Sequence, residues 1–221
     1  MTQPPAVATG ALNPGAIMRI WRRLMARVRP APIATTDAFR IFLEERAALI
    51  AQKCAVDYCR GKTGLASYAL FTEKPFLDAL EVCRWETFVT VLADLMILAE
   101  GCLRPYASAE ERPRLCEAFV ALYSRVLLPM PVPGHRLRGW GDAIASFTLR
   151  LEAASAGEVK QALDVADHSA RQLFDTLPIH ASMRELDQEV VYGAVRFRMV
   201  AVSQEMHRRV DAAEMVRQLL G

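Results

Sequence analysis

The chain has 221 residues, 52% of them apolar, which is enough for one domain with a sizeable core and too apolar for disorder to be the default. Net charge is only +2 and is divided: residues 1–35 carry Arg19, Arg22, Arg23, Arg27 and Arg29 and no acid, so +5, and the remainder stands at −3. A mildly acidic body with no dense basic face argues against nucleic acid as a partner, and no run reaches the ~18 uncharged apolar residues of a membrane span.

Residues 1–15 are rich in Pro, Gly and Ala and lack the basic-then-apolar order of a secretory signal, so they read as a disordered tail. AIMRIWRRLMARVR, 16–29, predicts a short basic amphipathic helix with Ile17, Ile20, Trp21, Leu24 and Val28 on one face. RPAPIATT ends that appendage, and 36–221 is expected to be a single helical domain. The first long helix is placed at about Asp37 to Arg60, with Thr36 as N-cap and Gly61 as stop. A short helix at 65–71 follows, and Pro75 opens another long one to about Leu103. Ser108 and Glu111 match a capping box ahead of a helix ending near Leu128. PMPVPGHRLRG, 129–139, is a loop; helices are placed at 140–155 and 158–176. Ser182 and Glu185 form a second capping box, read as opening a helix to about Arg209, and 211–220 closes the chain. No internal repeat is present. The pattern is an all-α, compact bundle of about seven helices.

FLEERAALIAQKCAVDYCRGKTG, 42–64, puts its charges in an unusual place. At 100° per residue, Phe39, Leu43, Ile50, Cys54 and Tyr58 form one apolar band and Phe42, Leu49 and Val56 a second, with Arg46, Lys53, Asp57 and Arg60 in the seam between them. A buried charge costs several kcal/mol unless it is paired. Asp94, within FVTVLADLMILA, and Arg196 or Arg198, within EVVYGAVRFRMVAV, are the partners expected. The expectation is an internal polar cluster of Arg46, Lys53, Asp57, Asp94 and Arg196 with Tyr58 nearby, serving either helix register or a ligand.

Other motifs are weaker. GKTG at 61–64 lacks the earlier glycine of a phosphate loop, Val56 standing in its place, and follows a helix rather than a strand. No serine has a G-x-S-x-G context, and the E-x-x-H pairs of a di-iron bundle are missing. Cys54, Cys59, Cys83, Cys102 and Cys116 make no CxxC pair and read as buried reduced thiols of a cytoplasmic protein. His135, His168, His180 and His207 are too scattered for zinc, so no metal or cofactor is implied. His168 and Asp164 are spaced as a surface i, i+4 pair. His135, Arg136 and Arg138, beside Trp140, have the chemistry to hold a carboxylate. Trp85 and Phe88 read as core.

In Arg46, Ala47, Ala48, Ala51, Gln52, Lys53, Tyr58 and Arg60, followed by Asp94 and Leu95, residues 40–100 resemble a family of all-helical proteins of alphaproteobacteria. The resemblance departs at Glu45 and around 61–75, and it implies a helical fold but no activity. The expected function is therefore a non-catalytic cytoplasmic interaction or assembly protein, binding another protein and working at the inner membrane surface. Trp21, Arg19, Arg22, Arg23 and Arg27 would meet an anionic membrane, and His135, Arg136 and Arg138 the partner. The alternative is a small-molecule-binding protein or hydrolase built on the internal Arg/Lys/Asp cluster.

Overall fold

Thr35 Oγ1 accepts the Ala38 amide at 3.1 Å, and from that cap α1 (Thr36–Thr63) runs 28 residues. The computed structural model describes residues 31–221, and it is all-α. The chain divides into two units, Met1–Pro32 and Ile33–Gly221. The expectations for 16–29, and for Arg19, Trp21, Arg22, Arg23 and Arg27, lie outside the described residues.

α1 passes through Gly61 and stops at Gly64, whose φ of 51° is the left-handed value that spares glycine the Cβ clash. Thr63 Oγ1, bonded to Cys59 O at 2.8 Å, satisfies a carbonyl of the last turn. A 3-10 turn (Gly64–Ala66) and α2 (Ser67–Leu70) then lead to α3 (Lys74–Leu103), which begins with a proline in its first turn. From Thr87 to Leu103 every residue of α3 except Thr90 and Cys102 is buried, as befits a helix apolar on all sides. α3 is the axis of the body. α1 and α6 (Ala162–Thr176) flank it, α4 (Arg112–Leu127) and α5 (Gly141–Ser155) cover another side, and α8 (Gln188–Arg209) packs on α6 and α1. α9 (Ala212–Leu220) lies on α4, α3 and α1.

The core interleaves Phe39, Leu43 and Ile50 of α1 with Leu92, Leu95 and Met96 of α3. Each such side chain contributes about 2–3 kcal/mol by leaving water. Tyr123 stacks on Phe147 at 4.4 Å and donates its hydroxyl to Val89 O at 3.1 Å, which satisfies the polar tip inside the apolar layer. Outside the helices, Ile33 is buried and its amide donates to Arg209 O at 2.9 Å.

Besides the cap at Thr35 in place of Thr36 and the stop at Gly64 in place of Gly61, two local expectations change. The 158–176 helix begins only at Ala162. The Ser182–Glu185 box does not open the long helix: His180 Nδ1 sits 2.8 Å from Ser182 Oγ and accepts the Ser182 amide, capping the single turn α7 (Ala181–Arg184). The Ser182 hydroxyl is thus committed to His180, and α8 starts separately after Asp187. Ser108 and Glu111 behave as read in one half of their box, the Glu111 carboxylate accepting the Ser108 amide at 2.8 Å.

Candidate functional site

The six residues expected to meet in one interior cluster are distributed over separate contacts. Lys53 is exposed and makes no ion pair among the described residues. Arg46 forks onto Glu205 of α8, Nε and Nη2 donating at 2.9 and 2.8 Å, with its guanidinium over the Phe42 ring. Arg46 and Arg209 hold the Glu205 carboxyl below its usual range. Asp57, exposed, takes a 3.4 Å contact from Arg198. Tyr58 donates to Asp187 at 2.9 Å, and Lys62 meets the same carboxylate at 2.6 Å. Arg196 bonds Asp167 at 2.7 Å and Glu189 at 3.4 Å. The reason is geometric: the seam on α1 runs along its edge with α8, where stems lie on apolar surface and heads reach acids or water. It does not face α3.

Asp94 alone is interior, with no exposed surface. Its partners are Arg150 of α5, which donates to Oδ1, and the Ser169 amide of α6, 3.1 Å from Oδ2. Burial pushes the carboxyl up to about 6 against the opposing pull of Arg150 and Ser169. Asp94 therefore ties α3, α5 and α6 together at one level. A second buried pair lies further along the chain at the end of α3: Arg104 forks onto Glu100 at 2.8 and 2.6 Å and donates to the Gly157 and Ala154 carbonyls, sealing the end of α5. Glu100 interrupts an otherwise apolar run of the sequence, and its i, i+4 spacing to Arg104 was the available signal.

His135 and Arg136 do hold a carboxylate, but it is Glu86 of the same chain. Arg136 Nε and Nη2 donate to Glu86 at 2.7 Å each, Nη1 reaches Asp142 at 2.8 Å, and His135 Nε2 lies 2.7 Å from Glu86 Oε1. The guanidinium rests over Trp140, whose ring meets Trp85 at 5.6 Å. This clamp fixes the 128–140 loop on α3 and engages His135 and Arg136 within the chain. Arg138 remains exposed. His168 and Asp164 make no ion pair among the described residues.

The five thiols are raised by burial, Cys54 to about 11 and Cys59 to about 12. That makes them poor nucleophiles. Cys102 and Cys116 are only partly buried, which corrects the expectation for those two. Among the described residues no group of three His, Cys, Asp or Glu side chains is placed to hold a metal ion, and no helix is long and apolar enough to cross a membrane.

Open concave surface lies elsewhere. A groove of about 450 Å³ runs between α1 and the first half of α3, floored by Ala51, Leu80 and Phe88 and lipped by Leu77, Glu81 and Arg84. A second, of about 720 Å³, separates α4 from α5 beside Cys116 and Ser155, which touch at 3.1 Å. Neither is lined by Asp94 or Lys53. Comparison of the chain with family models, curated proteins and solved structures returns no match.

Proposed function

We propose that the chain is a non-catalytic helical interaction protein whose groove between α1 and α3 receives an amphipathic helix of a partner protein. The observation that carries this reading is the contrast between interior and surface. The buried charges of Asp94, Glu100 and Arg104 are engaged by groups of the same fold, whereas the groove is an open apolar cleft in which the exposed Leu77 stands above the buried Ala51, Leu80 and Phe88. Its length along two antiparallel-capable helices and its apolar floor suit a helix in a groove, and Glu81 and Arg84 on the lip offer one charge of each sign to orient it. The basic residues Arg19, Arg22, Arg23 and Arg27, with Trp21, supply the chemistry for an anionic membrane surface. A hydrolase or ligand site on Arg46, Lys53 and Asp94 lacks the common cavity such chemistry needs.

The test uses the full chain, Leu77→Asp, and a chain lacking residues 1–30, each immobilised against native cell extract and mixed with vesicles containing about one-third anionic lipid. Leu77→Asp is expected to lose one specific protein while keeping its melting temperature and its vesicle binding. Deletion of 1–30 is expected to abolish vesicle binding. A wild-type chain that retains no protein lost by Leu77→Asp overturns the groove assignment, and undiminished vesicle binding after the deletion overturns the membrane assignment.

A further inference from the structure

The outer face of α6 and α8 carries a pattern of size and charge that complements itself when turned end for end. On α8, Val190, Gly193, Phe197 and Ala201 share one exposed stripe, within an arc of about 80° at 100° per residue. Phe197 is 75% exposed and Val190 65%. Gly193 sits mid-helix, where glycine costs about 1 kcal/mol relative to alanine. A Cβ there would meet nothing of its own chain within 4 Å, so the single fold gives no reason for it. Reversal of the helix sets Gly193 opposite Phe197 and Val190 opposite Ala201, large against small in both cases. The centre of that reversal lies at residue 195 for the first pair and between residues 195 and 196 for the second.

α6 shows the same property in charge. Lys160, just ahead of it, and Asp164, Arg171 and Asp175 on it are all exposed and make no ion pair among the described residues. Asp164, Arg171 and Asp175 project within about 40° of one another, and Lys160 lies outside the helix, just before its N-cap Gln161. Reversal sets Asp164 opposite Arg171, opposite in sign, about a centre between residues 167 and 168. Arg196 Nε bonds Asp167 Oδ1 at 2.7 Å, so the two centres stand at the same level on adjacent helices. A single two-fold axis crossing both helices at that level is compatible with both patterns.

We propose that the chain forms a two-fold homodimer in which α8 packs antiparallel on α8 of the second copy and α6 on its α6. A two-fold pairing is self-complementary by construction, which is what both stripes show. Phe197 of each copy fills the space left by Gly193 of the other, and two inter-copy Asp164–Arg171 ion pairs run beside that seam. The face is about 33 Å long and about 20 Å wide, so roughly 600 Å² per copy is covered, near the lower end of stable interfaces.

The experiment is sedimentation equilibrium of the full chain from about 5 to about 200 μM, the range such an area supports. The wild-type chain is expected to be dimeric in the upper part of that range. Phe197→Glu is expected to be monomeric there with an unchanged melting temperature, since the side chain it replaces is exposed. Asp164→Arg places two like-charged pairs across the axis and is expected to weaken the dimer about tenfold. The double variant Asp164→Arg/Arg171→Asp exchanges the signs and is expected to restore it. A wild-type monomer throughout the range, a dimer indifferent to Phe197→Glu, or a double variant as weak as Asp164→Arg alone overturns the proposal.

Discussion

A carboxylate with no exposed surface and a guanidinium about one-quarter exposed make Asp94–Arg150 an asymmetric pair. Loss of Arg150 strands a charge that has nowhere to go, whereas loss of Asp94 leaves a cation whose head can turn to water. Arg150→Met is therefore expected to cost about 3–5 kcal/mol at pH 7 in denaturant unfolding, and Asp94→Asn clearly less. The pH dependence has a definite sign. With its carboxyl raised from 3.8 to about 6, Asp94 keeps its proton in the folded state over a window where the unfolded chain has lost it. The contribution is thus full below pH 4 and is lost as pH rises towards 6, by about 3 kcal/mol for a shift of roughly two pH units. Glu205 and Asp187 act oppositely, since Arg46 and Lys62 respectively hold them low, but they are common to wild type and Asp94→Asn. The stability difference between those two proteins is expected to fall by about 3 kcal/mol from pH 4 to pH 7, and a flat difference would show Asp94 ionised throughout. Asp94 was legible in the sequence because every close neighbour is apolar. Arg150 was not, because TLRLEA carries charges at spacings equally suited to a solvated helix face.

Helices declare themselves through period and caps, but the lengths of those helices depend on contacts made from elsewhere. Gly61 and Gly64 are both adequate stops in sequence; the helix continues past the first because Lys62 reaches Asp187 and Thr63 bonds back to Cys59. The Ser182–Glu185 box is sound chemistry with the wrong consequence, since a box reports that a helix begins and not that it continues. The loop from 128 to 140 was legible as irregular from its prolines and glycines. Its attachment was not, because Glu86 lies about 50 residues away on a helix face that reads as solvated. That clamp carries a prediction of its own. Glu86→Gln replaces a carboxylate that engages three nitrogens with an amide offering one acceptor oxygen, and is expected to cost about 2–3 kcal/mol. Because the loss is local, limited proteolysis should nick the loop faster, and tryptophan emission should shift as Trp140 separates from Trp85. Unchanged cleavage and emission would mean the loop is held by the packing of Trp140 alone.

At the scale of the whole molecule, one buried helix with the others around it accounts for the all-α body that the composition foretold. It also explains why the charges of α1 found partners that the sequence did not single out. The seam of Arg46, Asp57 and their neighbours meets α8 because α3 occupies the other side of α1, and which acid of α8 stands opposite is a matter of register between segments some 140–160 residues apart. The same long-range closure operates where the described body begins. Ile33 lies outside any helix, in a stretch whose prolines and threonines mark it as linker, yet it is buried and pairs in parallel with Val210. Two further bonds, Thr36 N to Gln218 Oε1 at 3.2 Å and Gln218 Nε2 to Ala34 O at 2.9 Å, stitch the entry of α1 to α9. A residue so placed belongs to the core and not to the linker. Ile33→Ala is expected to cost about 2–4 kcal/mol, the range for truncating a buried Ile, whereas Val132→Ala in the exposed part of the loop stays within about 0.5 kcal/mol. Amide exchange discriminates further. Because the Ile33 amide donates to Arg209 O, loosening it should speed exchange at the start of α1, the end of α8 and α9 together, while the middle of α3 exchanges only through global unfolding. Faster exchange confined to residues 33–36 would show the entry segment to be a passive strap, and the closure of the bundle would then rest on α9 alone.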